Sequence, residues 1–151
     1  QCLQFIEKLN ERTGLYFNLP TEAQWEYAAR GGNKSQGFLY SGSNDATEVG
    51  WVAENMAAFG QHLGGEKAPN ELGIYDMTGN LNEWCLDFYG PYPEDPQINP
   101  AGAEQNEYTL HVVRGGAFHN DSLGWGRNTR RQSYPENYAV LDIGLRLVLN
   151  I

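Results

Sequence analysis

Apolar residues at helical spacing open the chain, and they are Leu3, Phe5, Ile6 and Leu9. They place an apolar stripe along a helix that we predict over residues 2–12. Gly14 follows the last apolar position and is the residue expected to end this helix. The pattern therefore predicts an amphipathic helix at the start of the chain.

A second helix is predicted by a strong start signal. Thr21 can cap the N-terminus, Gln24 stands where a capping box places its reciprocal partner, and Glu22 favours the positive end of the helix dipole. Gly31 and Gly32 are expected to end the helix. The side chains that it presents to the core are Trp25, Ala28 and Ala29.

Hydrophobic periodicity is weak from residue 33 to residue 105. Short apolar pieces alternate there with turn residues, and their tryptophan and tyrosine content indicates packed loops rather than disorder. Strands are predicted over residues 111–114 and over residues 144–149, where apolar residues alternate. The pattern predicts a loop-rich fold with two helices near the N-terminus and short strands.

Length and composition fit one compact domain. The chain has 151 residues, of which 40% are apolar, so we expect a single domain over residues 1–151 with one core. No apolar run approaches the roughly 18 residues of a transmembrane helix, so no membrane span is predicted. The chain opens on Gln1 without a signal-peptide pattern, and we expect a processed or excised product.

The net charge of −9 argues against a nucleic-acid partner held by phosphate contacts. The charge is uneven, because residues 1–113 carry five basic and sixteen acidic side chains, whereas residues 114–151 carry five basic and three acidic ones. The basic side chains of the second part are Arg114, Arg127, Arg130, Arg131 and Arg146. Any surface that attracts anions must therefore use this C-terminal part.

Cysteine and histidine are too few to define a metal site from spacing alone. Cys2 and Cys85 either form a disulfide or stand as two small buried thiols. The three histidines lack metal-site spacing, and the chain has no phosphate-binding glycine loop and no hydrolase nucleophile motif. The familiar nucleotide-binding and hydrolase signatures are thus absent from the sequence.

Four sequence blocks occur in order at residues 19–32, 70–84, 113–116 and 142–147. The most specific is the second, N-E-L-G-I-Y-D-M-T-G-N-L-N-E-W. Together the blocks resemble the formylglycine-generating-enzyme and sulfatase-modifying-factor family. The resemblance implies an elaborated C-type-lectin-like α+β fold that is loop-rich, with two helices near the N-terminus and short antiparallel strands. Family members usually carry further N-terminal strands, so we expect a fragment or a shortened version that lacks them.

Formylglycine-generating enzymes oxidise a substrate cysteine with a copper ion held by two cysteines that follow the R-G-G block. Asn120 and Trp125 occupy the matching positions here. Copper(I) prefers soft thiolates, which neither an amide nor an indole can replace. Two neighbouring positions also depart from the family, with Ala117 in place of a serine and Asn82 in place of a tryptophan. We therefore expect neither copper nor the oxidase reaction.

The resemblance also implies a calcium site in the second block. Family members build it from a side chain, two backbone carbonyls and a glutamate, and the matching groups are Asp76, the carbonyls of Gly79 and Leu81, and Glu83. Oxygen ligands this close in sequence, with a glycine that permits a tight loop, suit a hard cation. The alternative is that Asp76 caps a turn and Glu83 pairs with an arginine.

The segment 117–141 lines the substrate face in the family. Aromatic rings beside arginines and amides are typical of recognition surfaces, although each single ring can instead belong to the core. The candidate ligand-binding residues are Phe118, His119, Asn120, Asp121, Trp125, Arg127, Asn128, Arg130, Tyr134, Asn137 and Tyr138. Arg114 and Arg146 lie inside family blocks, and we expect them to be structural ion-pair or hydrogen-bond partners.

Three functions follow from these observations. The first is a non-catalytic module that binds a protein, peptide or glycan through residues 117–141, as do the similar variable proteins of diversity-generating retroelements. The second is an oxidoreductase of the family that acts through other residues. The third is a purely architectural domain, which burial of Trp125, Tyr134 and Tyr138 would favour. The missing cysteine pair within an intact frame favours the first function.

Overall fold

The computed structural model describes residues 1–56, 60–105 and 109–150. The helices are α1 (Cys2–Thr13), α2 (Glu22–Ala29) and α3 (Ala46–Val49), with a 3₁₀ turn at Gly32–Lys34 and a π-helical turn at Ser122–Gly126. The strands are β1 (Tyr16–Asn18), β2 (Gly50–Trp51), β3 (Thr78–Gly79), β4 (Asn82–Phe88), β5 (Leu110–Arg114), β6 (Gln132–Pro135), β7 (Ile143–Leu145) and β8 (Val148–Asn150). The predicted α+β class, its loop-rich character and its two N-terminal helices are confirmed.

The strands of the described residues form three small sheets. Four strands pair in the order β6-β5-β4-β7, and two-stranded sheets join β1 to β8 and β2 to β3. Pairing is antiparallel, as predicted, between β1 and β8, between β4 and β5 and between β5 and β6. The prediction is wrong for β4 with β7 and for β2 with β3, which run parallel.

The single strand predicted over residues 144–149 is two strands. β7 ends at Leu145 and pairs with β4, whereas β8 begins at Val148 and pairs with β1. Between them Arg146 directs its guanidinium to the Glu83 carboxylate. The alternating pattern runs through both strands, but pairing with two different sheets breaks it at Arg146 and Leu147.

Helix α1 leaves half of its apolar stripe open to solvent among the described residues. Of the stripe, Ile6 is buried, whereas Leu3 is 58% and Phe5 52% exposed. The side chain of Asn10 fastens α1 to β1, because it donates to the Phe17 carbonyl and accepts from the Phe17 N–H. No helix in the described ranges has the length and apolar character to cross a membrane.

Helix α2 is capped from within and from the sheet. The predicted capping box is confirmed, with Thr21 Oγ1 accepting from the Gln24 N–H and Gln24 Oε1 accepting from the Thr21 N–H. The N–H of Glu22 is left over by this motif, and it donates to Asp87 Oδ2 on β4 at 2.8 Å. Orphan donors at a helix start are thus satisfied locally and by a distant strand.

Two buried clusters form the core of the described residues. One joins α2 to the sheet and consists of Trp25, Ala29, Met77, Cys85 and Val112. The other surrounds α3 and consists of Tyr40, Ala46, Val49 and Val52. The predicted core positions of α2 are confirmed, because Trp25 and Ala29 are buried and Ala28 packs against them.

The β2–β3 pair is so close that only glycine fits at one position of each strand. A Cβ on Gly50 would lie 2.0 Å from the Thr78 carbonyl oxygen, and one on Gly79 would lie 2.1 Å from the Trp51 carbonyl oxygen. Gly79 also has a φ of +69°, in the left-handed region that glycine favours. This contact fixes the loop of the second family block against residues 50–52.

Candidate functional site

Arg114 of the R-G-G block is fully buried at the end of β5 and clamps α2 to the sheet. Its Nη1 donates to Glu22 Oε1 at 2.6 Å, and its Nη2 donates to Glu26 Oε2 at 2.6 Å. Burial alone would lower the pKa of Arg114, but the bonds to Glu26 and Glu22 outweigh it and raise the pKa above its usual value. The expected structural role of Arg114 is confirmed.

The same guanidinium holds the turn that carries two exposed arginines. Nη2 of Arg114 donates to the Asn128 carbonyl at 2.5 Å, while the Asn128 N–H donates to the Leu39 carbonyl at 3.0 Å. The side-chain amide of Asn128 donates to the Phe38 carbonyl, and the residue is 3% exposed. Asn128 therefore anchors the turn, and its prediction as a ligand-binding residue is corrected.

Phe118 and Asn120 complete the interior side of the segment. Phe118 is 2% exposed and its N–H donates to the Asn80 carbonyl, so the prediction that Phe118 contacts a ligand is also corrected. Asn120, at the first of the two family cysteine positions, accepts the Ala117 N–H through Oδ1 at 2.9 Å. Its own carbonyl accepts from the Ala53 N–H. The amide of Asn120 thus closes a loop at a position where the enzymes of the family carry a cysteine.

Trp125 lies in the π-helical turn at the second cysteine position. Asp121 starts this turn by accepting the Gly124 N–H at 2.7 Å, and Ser122 donates its N–H and its hydroxyl to Glu54 Oε1. Burial would raise the pKa of Glu54, but the two bonds from Ser122 outweigh it and lower the pKa. Trp125 is half-buried, and the Arg130 guanidinium lies 4.3 Å from its ring centroid.

A second aromatic pair lies further along the segment. The rings of Tyr134 and Tyr138 stack with centroids 4.7 Å apart and an interplanar angle of 4°. Burial raises the pKa of Tyr134, which is half-buried, whereas Tyr138 is 42% exposed. Asn137 is exposed, and the exposed His119 has its Nε2 3.5 Å from Asp142 Oδ2.

The structure thus divides the eleven predicted ligand-binding residues by exposure. Exposed to solvent are His119, Asp121, Arg127, Arg130, Asn137 and Tyr138. Half-buried are Asn120, Trp125 and Tyr134, and buried are Phe118 and Asn128. The remaining surface combines rings, guanidinium groups and amides on a frame held by buried polar contacts.

The second block places Asp76 and Glu83 around Arg146. Asp76 Oδ2 accepts the Gly65 N–H at 2.7 Å, whereas Asp76 Oδ1 is buried and has no hydrogen-bond donor in the described part of the chain. Arg146 donates to Glu83 Oε1 at 2.7 Å and to Oε2 at 2.9 Å, and Trp25 Nε1 also donates to Oε2. Glu83 therefore pairs with an arginine, the alternative that the sequence left open, and Arg146 has the expected structural role.

Both cysteines are free thiols, so the disulfide alternative is not the arrangement found. Cys85 belongs to the core, and burial raises the pKa of its thiol far above the usual value. A thiol of this kind stays protonated and is a poor metal ligand. Within residues 1–56, 60–105 and 109–150, no group of three His, Cys, Asp or Glu side chains is placed to hold a metal ion together.

Sequence reasoning missed a buried cluster beside α2. Glu22 accepts three guanidinium nitrogens, one from Arg114 and two from Arg131, and it also accepts the Tyr92 hydroxyl. Glu22, Tyr92 and Arg131 of this cluster line a cleft of about 510 Å³ between α2 and the loop of residues 90–103. Glu22 and Glu26 lie one helical turn apart, and two like charges at this spacing destabilise a helix unless basic side chains neutralise them. This spacing could have indicated arginine partners in the sequence.

Short strands, packed loops and a buried arginine that clamps α2 define a domain with the fold of formylglycine-generating enzymes. The chain belongs to the family of the sulfatase-modifying factor enzyme 1-like domain, whose model matches residues 3–151. The resemblance inferred from the four blocks is confirmed.

The relatives include a protein named as a chaperone and proteins named as formylglycine-generating enzymes. The chain is 39% identical to chaperone protein LppX of Paenibacillus barcinonensis over 169 aligned positions, covering 97% of this chain and 53% of LppX. It is 33% identical to the formylglycine-generating enzyme of Streptomyces coelicolor, covering 85% of this chain and 45% of the enzyme. The chain thus spans about half the length of the curated relatives it matches.

A solved structure shares the fold. Treponema denticola variable protein 1 superposes with a TM-score of 0.77 at 28% identity, covering 88% of this chain and 47% of that protein. This likeness agrees with the similarity to variable proteins that the sequence blocks suggested.

Proposed function

We propose that this domain is a non-catalytic binding module that recognises a protein, peptide or glycan through the exposed residues of segment 117–141. The observation that carries the proposal is the pair Asn120 and Trp125 at the two positions where the enzymes hold copper. Asn120 closes a loop by accepting the Ala117 N–H, and the ring of Trp125 contacts the Arg130 guanidinium. The frame is kept while the sulfur donors of the reaction are replaced.

The exposure of the segment supports recognition rather than a purely architectural role. An architectural domain would bury its large rings, but Tyr138 is 42% exposed, and Trp125 and Tyr134 each keep part of their surface in solvent. Aromatic rings with a polar handle and little conformational freedom supply contact area at low entropic cost. Phe118 and Asn128 are buried, so the backbone of the segment is anchored at these two positions before any ligand arrives.

The relatives support the same proposal by their names. One is a chaperone protein and another is a variable protein, and neither name describes a turnover reaction. The formylglycine-generating relatives share the frame, yet this chain departs from them at the copper positions. We take the common frame as a scaffold that holds a recognition segment.

Arrays of short random-sequence peptides and of glycans test the proposal. Wild-type protein is expected to retain a defined subset of probes, and Trp125→Ala and Tyr138→Ala are each expected to weaken that subset about tenfold. Tyr27→Ala is the matched control, because Tyr27 is a 60% exposed tyrosine on α2 outside the segment. Equal loss in all three variants, or no retained probe, would overturn the proposal.

We also propose that a calcium ion binds the second block through Asp76, the carbonyls of Gly79 and Leu81, and Glu83. The support is the buried Asp76 Oδ1, which has no donor among the described residues and is a hard oxygen suited to calcium. Glu83 Oε1 takes a single bond from Arg146 and keeps a lone pair for a second partner. Arg146 would then share the carboxylate with the ion.

Thermal denaturation with calcium chloride and with a chelator tests this second proposal. A ligand that binds only the native state raises the melting temperature further as its concentration rises. Wild type is expected to show that rise, and Asp76→Ala is expected to abolish it. Asp95→Ala removes an exposed carboxylate elsewhere and should keep the rise. If the melting temperature of the wild type does not change with calcium concentration, the proposed site is refuted.

A further inference from the structure

The five arginines of the C-terminal part divide into two groups. Three serve the interior: Arg114 bonds to Glu22 and Glu26, Arg131 to Glu22, and Arg146 to Glu83. Arg127 and Arg130 are exposed, and within the described ranges neither lies at ion-pair distance from a carboxylate. This chain has a net charge of −9, yet it presents two guanidinium groups that a partner can bind.

These two cations project from one rigid turn. The Arg130 N–H donates to the Arg127 carbonyl at 3.0 Å, which closes the turn between them. Asn128, between the two arginines, is fastened to the interior through Arg114, Phe38 and Leu39. A turn held in this way loses little entropy when a ligand binds, so its cations are placed in advance.

Two exposed leucines are linked to this turn, one through a backbone hydrogen bond and one through its place in the chain just before it. Leu39, whose carbonyl holds the Asn128 N–H, is 48% exposed, and Leu123 of the π-helical turn is 66% exposed. Trp125 follows Leu123 two residues later in the same turn, and the Arg130 guanidinium lies 4.3 Å from its ring centroid. We call this set the basic patch, and it consists of Leu39, Leu123, Trp125, Arg127 and Arg130.

We infer that the basic patch binds an acidic peptide segment of a protein partner, with aspartate or glutamate on the arginines and an apolar side chain on Trp125 and the leucines. This inference rests on the proposed function and names the ligand class of its site. Guanidinium groups recognise carboxylates through paired hydrogen bonds, and they are weakly hydrated, so they give up water readily.

The electrostatics favour a short acidic peptide over a long polyanion. The patch offers two free cations, whereas nucleic acids and sulfated glycans bind through many charges at once. The rest of the chain is strongly acidic and repels a long polyanion. A short acidic segment can contact the basic patch without reaching the acidic surface around it. The two arginines attract the carboxylates of such a segment, while the surrounding acidic side chains repel them. The segment is therefore oriented on the patch and does not bind elsewhere on the domain.

The peptide array tests this inference when its probes are sorted by net charge. Retained peptides are expected to be enriched in aspartate and glutamate together with leucine, phenylalanine or tryptophan. The best acidic peptide, labelled with fluorescein, is then titrated by fluorescence polarisation against wild type, Arg127→Glu, Arg130→Glu and Arg12→Glu. Arg12 is an exposed arginine of α1, so its variant carries the same change in net charge at another place.

We expect Arg127→Glu and Arg130→Glu each to weaken binding at least about tenfold, and Arg12→Glu to leave it within about twofold. An equal effect of all three variants would show attraction by net charge alone and would overturn the inference. Retention of neutral or basic peptides, or of sulfated glycans alone, with loss in Trp125→Ala, would overturn the acidic-peptide inference and leave the proposed function standing. Loss of every probe would overturn both. Melting temperatures of the variants confirm that they are folded.

Discussion

The guanidinium of Arg130 lies 4.3 Å from the centroid of the Trp125 ring, which stands where the enzymes of this family carry their second copper-binding cysteine. A cation–π contact at an exposed site is worth about 0.5–1 kcal/mol and keeps the indole flat beneath the charge. The position has thus changed from a metal ligand to part of an aromatic and basic surface.

Restoring both cysteines should restore affinity for copper(I). We expect the double variant Asn120→Cys with Trp125→Cys to compete with a copper(I) chelator, because two thiolates supply the soft ligands that an amide and an indole cannot. Wild type and each single variant should leave the chelator loaded. Copper retention by wild type as strong as by the double variant would contradict the account.

Removing the buried Arg114 should strongly destabilise the domain. Arg114→Met leaves the Glu26 carboxylate and the Asn128 carbonyl without their buried donor, and breaking such a pair costs about 3–5 kcal/mol. Urea denaturation measures this loss in the free energy of unfolding. Arg30→Ala removes an exposed partner of the same Glu26, and it should cost less than about 1 kcal/mol. Similar losses in both variants would contradict the clamp.

A methyl group should not fit between β2 and β3. We expect Gly50→Ala to cause severe loss of stability, because its Cβ would lie 2.0 Å from a backbone oxygen that cannot move away cheaply. Gly37→Ala is the matched control, since Gly37 has a positive φ but nothing within 4 Å of a built Cβ. The control should cost only about 1–2 kcal/mol of backbone strain in a thermal or urea melt. A Gly50→Ala variant as stable as the control would show that the strands separate easily.

Asp87 should make the domain less stable as pH rises above about 4. Burial raises the pKa of Asp87, with a further contribution from the nearby Glu22, so the folded state holds the proton above the unfolded value of about 3.9. The stability from this group is present below that value and is lost as pH rises through the folded pKa. Asp87→Asn cannot titrate, so wild type should lose stability relative to it over this range in urea melts. A constant difference would contradict the assignment.

Local signals predicted α2 from the sequence, and distant contacts decided what the sequence could not. The capping box joins Thr21 to Gln24 three residues away, so its meaning is readable in a short window. The burial of Asn128 depends on Phe38, 90 residues away, and Arg131 meets Glu22 across 109 residues. Those pairings give no periodic signal, and they decide which arginines and amides reach the surface.

The same limit explains the other corrections. Phe118 and Trp125 look alike as rings beside the R-G-G block, yet packing buries the first and leaves the second half-exposed. Alternation predicted one strand over residues 144–149, but the pairing partners of β7 and β8 differ, so the strand divides. Periodicity reports which faces are apolar, whereas the partner of each face is a property of the whole fold.

The most direct test of the central claim is a mass-spectrometric assay of a cysteine-containing peptide incubated with the wild-type domain, copper and oxygen. We predict that the peptide keeps its cysteine, because the side chains at the two metal positions offer no thiolate to the ion. Conversion of that cysteine to formylglycine would show that the domain is an enzyme and would contradict the account.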